Sequence, residues 1–377
     1  MRKIRFFTIL SVSLQPKDDK MKPKITTNSK KRTFLKVLAV LAVTLLLAGG
    51  AVGYAVWQMT VPSALTRDIW LYVRPGDTRD SILTQLRDKG VDSRRVFWIE
   101  RCMDYYQLDD ILSSSDRSGA YLLSIDLPAL RVASRIARHQ QTAVRIAFNN
   151  VRLASQLASR ITEPLLIDSA AMMTALRDTA LLRSLDVDTA TVLTLFLPDT
   201  YQVWWNISAE DLIRRMYREH EAFWTPQRKT QAQALGLTPV QCSIIASIAE
   251  EETHNAGEIG IVARLYANRF RIGMPLQADP TVKYAVGDFS LRRILAEHLQ
   301  TPSPYNTYLH AGLPPGPIRI PEKATLDALL QSKEHPYLYM CAKADFSGTH
   351  NFARTLQEHQ RNAALYHRAL NKLKIKP

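Results

Sequence analysis

Three consecutive glutamates, Glu250, Glu251 and Glu252, follow directly on the apolar run VQCSIIASIA. A carboxyl group set against an apolar body is desolvated, and desolvation disfavours its charged form, so its pKa rises and it can give up a proton near neutral pH. That is the chemistry of a general acid. The run opens at Thr238-Pro239, a cap followed by proline at the first helical position, which predicts a helix with the three acids at its end. The alternative reading of the same residues is a helix that ends in a solvated acidic turn. Periodicity does not choose among the three. Glu252 lies one turn after Ile248 and two after Ile245, on the apolar stripe, whereas Glu250 follows the small residues Ala246 and Ser247, a face suited to the floor of a substrate cleft.

The stretches VARLYANRFRIGMPLQADPTVKYA, TPSPYNTYLHAGLPPGPIRIP and HPYLYMCAKADFSGTHNF come next, in that order. Here the chain resembles the MltG (YceG-like) endolytic murein transglycosylases. The resemblance is carried by Ala246 to Thr253, Asn268-Arg269, Gly273-Met274, Leu276-Gln277, Asp279 to Val282 and Tyr284. It continues through Tyr305 to Tyr308, Gly312 to Ile318, Tyr337-Leu338-Tyr339, Gly348, His350 and Phe352. The family's catalytic glutamate is the first of an E-K-E triplet, which the resemblance places on Glu250. Glu251 replaces the family lysine, and such a negative neighbour raises the Glu250 pKa further if the two side chains share a face. A second departure is Leu193 and Thr194, where the family usually has an acidic residue and a glycine.

The resemblance implies a lytic transglycosylase that needs one carboxylic acid where hydrolytic glycosidases use two. Glu250 would protonate the oxygen between N-acetylmuramic acid and N-acetylglucosamine, then take the proton of the muramic C6 hydroxyl as a 1,6-anhydro ring closes. Gln277, Asp279, Tyr305, Asn306 and Tyr308 are the candidate substrate-binding residues. Asp279 can equally cap a helix and Asn306 hold a turn. Glu252 is expected to be a structural acceptor for backbone or Arg269 donors. The resemblance further implies internal cutting of nascent strands, a role in cell-wall assembly and strand termination, and association with peptidoglycan synthases. The competing reading is a non-enzymatic peptidoglycan-binding scaffold of the synthesis machinery.

Positioning these residues outside the cytoplasm falls to the segment from Phe34 to Trp57, apolar except for Lys36 and long enough to cross a bilayer. Lys30-Lys31-Arg32 precede it and a charge-poor stretch comes after it, so the N-terminus is expected inside and the bulk of the chain outside the inner (cytoplasmic) membrane, single-pass. A cleaved signal peptide is the competing reading, but the run is longer than an ordinary signal core, and Tyr54 and Trp57 suit interfacial anchors. Of the formal charge of +14 on 377 residues, much lies up to Arg32, against only Asp18 and Asp19. The remainder is mildly basic and carries no nucleic-acid-binding signature. Cys102, Cys242 and Cys341 lie far apart with no metal-ligand spacing, and no cofactor is implied.

The expected organisation is a basic tail over 1–33, of which 1–20 precede a second plausible start at Met21, a transmembrane helix over 34–57 and a linker over 58–68. A small LysM-like α+β lobe over 69–140 is then expected to be packed on a larger mixed α+β catalytic domain over 141–377. The lobe opens with an alternating strand (Ile69, Leu71, Val73), a Pro75-Gly76-Asp77 turn and a helix with Ile82, Leu83 and Leu86 on one face. This opening resembles the strand-to-helix turn of LysM peptidoglycan-binding modules. A helix over Ser93 to Tyr106 and a strand over Gly119 to Leu123 complete it, and a strand over Ala143 to Ala147 begins the next unit.

Overall fold

A computed structural model of the protein describes residues 27–291 and 293–372. The basic tail up to residue 26 and the second start at Met21 lie outside the described residues. The chain divides into two units, residues 1–62 and 63–377. The first contains α1 (Thr27–Thr60), of which Lys30–Thr60 is long and apolar enough to cross a membrane. Leu, Val and Ala on every side of a helix leave no polar face for water, the pattern of a lipid-solvated helix. At 1.5 Å per residue the helix is about 50 Å long, against roughly 30 Å of hydrocarbon core. It starts before Phe34 and runs past Trp57, so helix occupies the first part of the expected linker.

Residues 63–377 form one compact unit of mixed α and β structure, in which the strands among the described residues pair into three two-stranded sheets. It opens with β1 (Ile69–Val73), α2 (Arg79–Asp88), α3 (Ser93–Tyr105), α4 (Leu108–Ser114), β2 (Gly119–Leu123) and α5 (Ala129–Ala137). β1 pairs antiparallel with β2, Ile69 opposite Leu123. Thr78 caps α2 by accepting the Ser81 N–H, and Ile82, Leu83 and Leu86 are buried as their spacing requires.

The chain continues through β3 (Val144–Phe148), α6 (Ala154–Thr162), α7 (Ser169–Ala175), α8 (Thr179–Ser184), β4 (Asp199–Val203) and α9 (Ala209–Phe223). β3 sits one residue later than the sequence pattern suggests and pairs antiparallel with β4, Arg145 facing Gln202. Phe148, Ile161, Phe196 and Met216 centre the first apolar core, and Trp70 and Tyr72 of β1 pack against it. The first lobe is thereby docked on the core beneath β3 and β4. Leu193 and Thr194 are buried in a short 3-10 turn over Val192–Leu195.

A second core gathers Trp224, Ile245, Ile248, Leu265 and Leu326. It is built by α10 (Pro226–Ala234), α11 (Pro239–Glu252), α12 (Ile259–Arg271), α13 (Asp279–Val286) and α14 (Lys323–Leu330), followed by β5 (Tyr339–Ala342), β6 (His350–Ala353) and α15 (Leu356–Lys372). Thr238 and Gln241 close a capping box at the start of α11, with Pro239 in its first turn. The α11 isoleucines are buried, each stabilising the fold by about 2 kcal/mol relative to exposure. Ile318 lies in the second core and Ile320 in the first, where its N–H donates to the Val151 carbonyl at 2.8 Å. The proline-rich segment therefore runs along the seam between the cores, beside α11.

Candidate active site

Successive helical residues point about 100° apart, so Glu250, Glu251 and Glu252 at the end of α11 enter three different surroundings. Glu250 is the most enclosed, 5% exposed. Its Oε1 accepts the Glu322 N–H at 2.6 Å and Thr325 donates to the same carboxyl group, so Glu250 covers the first turn of α14. Arg319 Nε lies 3.0 Å from its Oε2, an ion pair without a well-aligned hydrogen bond. Burial pushes the Glu250 pKa up; Thr325, Arg319 and the Glu322 N–H hold it back.

The sequence suggested that the small residues before Glu250 floor an open cleft. The structure corrects this. Ala246 and Ser247 are fully buried, and the Ser247 hydroxyl accepts the Ile318 N–H at 3.1 Å, so the proline-rich segment covers that face. Small residues here allow two stretches of backbone to approach closely. Gly316 serves the same close approach, since a Cβ there would collide with the Ala190 carbonyl.

Glu251 does not act as a bare negative neighbour of Glu250. Arg152 grips it through both carboxylate oxygens, Nη2 lying 2.8 Å from Oε1 and 2.9 Å from Oε2, and Arg319 Nη1 adds a contact of 3.1 Å. Arg319 thus bridges the two acids, and its charge favours the ionised form of Glu250. The pKa of Glu250 is raised by burial and not by Glu251.

Glu252 stands apart from these cations. It is half-buried, it accepts a 2.7 Å hydrogen bond from the Tyr266 hydroxyl, and no cation reaches it within ion-pair distance among the described residues. Desolvation raises its pKa to about 7; the Tyr266 hydrogen bond opposes, the charge of Asp279 pushes it up further, and Arg269 pulls it down. Arg269 is not its hydrogen-bond donor, as the sequence suggested. The Arg269 guanidinium donates to the Leu338 and Leu276 carbonyls, each at 2.6 Å, and so fixes the loop before α13 to the strand region.

Of the expected substrate contacts, Asp279 and Tyr308 meet beside Glu252. The Tyr308 hydroxyl donates to Asp279 Oδ1 at 2.7 Å, and both residues bear electrostatically on Glu252 or on Tyr266 beneath it. Asp279 lies in the first turn of α13, exposed, and is not its N-cap. Gln277 is exposed in the preceding loop with φ 46°, a left-handed backbone that costs about 1 kcal/mol or more for a side chain with a Cβ and is often kept at functional positions. Asn306 is fully buried with its amide donating to Leu299 and Thr301 and accepting from the Tyr308 N–H, so it holds the loop that presents Tyr308. Tyr305 packs on Tyr284, ring centres 4.7 Å apart, with its hydroxyl beside Gly316.

Sequence reasoning alone misses Tyr266, Arg319, Arg152 and Thr325. Tyr266 and Arg319 sit inside VARLYANRFRIG and GLPPGPIRIP, but nothing in their spacing marks them as partners of the glutamates. Arg152 lies 99 residues from Glu251 and has no local signal at all. His350, from the last of the motif stretches, is held by Glu258 through both its N–H and Nδ1 and anchors the β5–β6 hairpin to the start of α12.

A carboxylic acid whose pKa desolvation raises to about 7, flanked by a tyrosine donor and a second carboxyl group, is the equipment of a general acid and base catalyst. Residues 71–365 match the YceG-like family, and the chain belongs to it. Over 159 residues it is 34% identical to an endolytic murein transglycosylase of Bacillus subtilis (strain 168), covering 42% of this chain and 43% of that protein. An endolytic murein transglycosylase of Streptococcus pneumoniae serotype 2 (strain D39) is 29% identical over 171 residues, 44% of this chain and 31% of that protein. The matched stretch thus spans less than half of either relative. A YceG-like protein from Listeria monocytogenes has the same fold, with a TM-score of 0.50 at 23% identity over 78% of this chain and 98% of that one.

Proposed function

We propose that the protein is a lytic transglycosylase of peptidoglycan, anchored by α1 with its basic end in the cytoplasm and residues 63–377 outside. The observation that carries the reading is Glu252, half-buried, raised to about 7 and unpaired with any cation among the described residues. Near neutral pH a large fraction of such a group is protonated. It can give its proton to the glycosidic oxygen between N-acetylmuramic acid and N-acetylglucosamine, and the resulting carboxylate can take the proton of the muramic C6 hydroxyl. The C6 oxygen then closes on C1, and the 1,6-anhydro ring forms where a hydrolase would deliver water. Asp279, beside it, opposes the positive charge that develops at C1, and Tyr308 orients Asp279.

This reading moves the catalytic role from Glu250 to Glu252. Glu250 is tied to Arg319, Glu322 and Thr325, and a carboxylate so engaged is a structural hub; among the described residues Glu252 keeps one oxygen uncommitted. The β1–α2–α3–β2 lobe, with its capped turn at Pro75 to Thr78, is the LysM-like part and would hold the strand. Cutting within strands and association with peptidoglycan synthases belong to the same proposal. Digestion of purified glycan strands by the full chain, followed by mass spectrometry, should yield fragments ending in anhydro-muramic acid. Intact strands that remain bound to the protein would establish the scaffold reading instead.

The pH profile tests the proton donor. The Tyr266 hydrogen bond stabilises the carboxylate of Glu252, so Tyr266→Phe removes a force that lowers its pKa. Because the working form is protonated, activity is lost as pH rises through that pKa. The alkaline limb of kcat/KM should therefore move up by roughly one pH unit, the size expected for a hydrogen bond to a charged group. An unmoved or lowered limb would count against Glu252.

A further inference from the structure

We infer that the concave face between β4 and α9, centred on Trp204, is a second saccharide site that takes one or two N-acetylated pyranose units of a glycan strand; the inference rests on the substrate class proposed above. None of the residues around Glu252 takes part in it. Trp204 and Trp205 come directly after β4, and the turn sends them opposite ways. Trp205 is 7% exposed and belongs to the first core, whereas Trp204 is 52% exposed. The fold thus buries one indole and leaves the other as an open wall of a cavity of about 740 Å³, a size ordinary for small-ligand sites.

The other walls are polar in both senses. Gln202, two residues before Trp204 and on the same face of the strand, is exposed. Asn206 donates through Nδ2 to the Ser118 carbonyl and hydroxyl, which fixes its side chain and leaves Oδ1 as an acceptor. Asp211 receives the Ser208 hydroxyl on Oδ2 at 2.6 Å, and among the described residues its Oδ1 stays open. Arg215 pairs with Glu219, while Arg218, one turn on, forms no ion pair among the described residues.

A flat indole face accepts the C–H face of a pyranose, and its surround must then answer hydroxyls and acetamido groups, which both donate and accept. Gln202, Asn206 and Asp211 supply acceptors beside the guanidinium donors. A site for phosphate, free or on a lipid headgroup, would need donors alone and would be weakened by Asp211. Arg218 is placed for the carboxylate of a muramic acid lactyl group or its peptide.

The test is titration of the full chain, held in zwitterionic lipid nanodiscs and carrying Glu252→Gln, with tri-N-acetylchitotriose in a calorimeter, and with soluble glycan strands. Adding Trp204→Ala should weaken both at least tenfold, and adding Arg218→Ala should weaken strands while sparing the uncharged trisaccharide. Melting temperature should hold in each, because both side chains are exposed. Equal saccharide binding with and without Trp204 overturns the inference, even where the wild type leaves anhydro ends. So does unchanged saccharide binding alongside loss, in Trp204→Ala, of the fluorescence quenching seen in parallel nanodiscs that contain brominated phosphatidylglycerol, because the face would then meet the membrane. Failure of the wild type to cut strands sinks the catalytic reading but leaves a Trp204-dependent binding result standing.

Discussion

Glu252→Gln should lower turnover on glycan strands by at least about a hundredfold, within the usual range for removing a general acid and base. The substitution keeps shape and can still accept the Tyr266 hydroxyl, but it has no proton to give at neutral pH. It also removes a carboxyl group whose charged form the fold disfavours, so the melting temperature should stay level or rise slightly. Glu250→Gln should behave in the opposite way. It loses the ion pair with Arg319 and disturbs the start of α14, so it should melt earlier, yet at temperatures where it is folded it should retain cutting within about tenfold. The assays are anhydro-product formation and thermal unfolding on both variants. A folded but inactive Glu250→Gln beside a working Glu252→Gln would return the catalytic role to Glu250, where the family resemblance first put it.

The contrast between these two glutamates marks what the sequence could and could not reveal. The apolar stripe through Ile245 and Ile248 pointed to Glu252 as the more enclosed side chain, whereas Glu250 is the most enclosed of the three. Nor did the stripe mark Glu252 as an acid, because it predicts a buried structural acceptor. Two distant facts turn it into a candidate acid: Tyr266 rather than a cation meets its oxygen, and Asp279 adds a negative charge. Both come from elements brought alongside α11 by packing, α12 and α13.

Ala246 and Ser247 misled for the matching reason. Small residues mark close approach, and whether a ligand or the chain itself approaches is decided in three dimensions. Here it is Ile318, from 71 residues downstream. Local elements were legible where local chemistry sets them, as at Thr78 before α2 and Thr238-Pro239 before α11. The partner of Glu251 was not, because Arg152 comes after β3 in a loop whose position depends on the docking of the two cores.

Arg319→Met should cost about 3–5 kcal/mol of stability, because it leaves a buried carboxylate without its cation. Arg319 is 8% exposed and touches Glu250 and Glu251 together, at 3.0 Å and 3.1 Å. Arg152 can still satisfy Glu251, whose pairing with it is bidentate. Among the described residues Glu250 has no second cation, and its backbone partner and Thr325 cannot replace one. The loss should therefore depend on pH in a definite sense. Without Arg319 the folded-state pKa of Glu250 rises further above the ordinary glutamate value of 4.5, since one of the influences holding it down is gone. A group whose folded pKa is raised is accommodated when protonated, so the variant should approach wild-type stability as pH falls to that ordinary value and lose it as pH climbs through the raised one. Denaturant unfolding of both proteins across that interval should show the gap widening with pH, and the melting temperature near neutrality should drop by roughly 10 °C. Glu250→Gln combined with Arg319→Met should recover part of the loss, because the double variant buries no unpaired charge. A pH-independent gap, or a double variant as unstable as the sum of the singles, would show that Arg319 acts by packing alone.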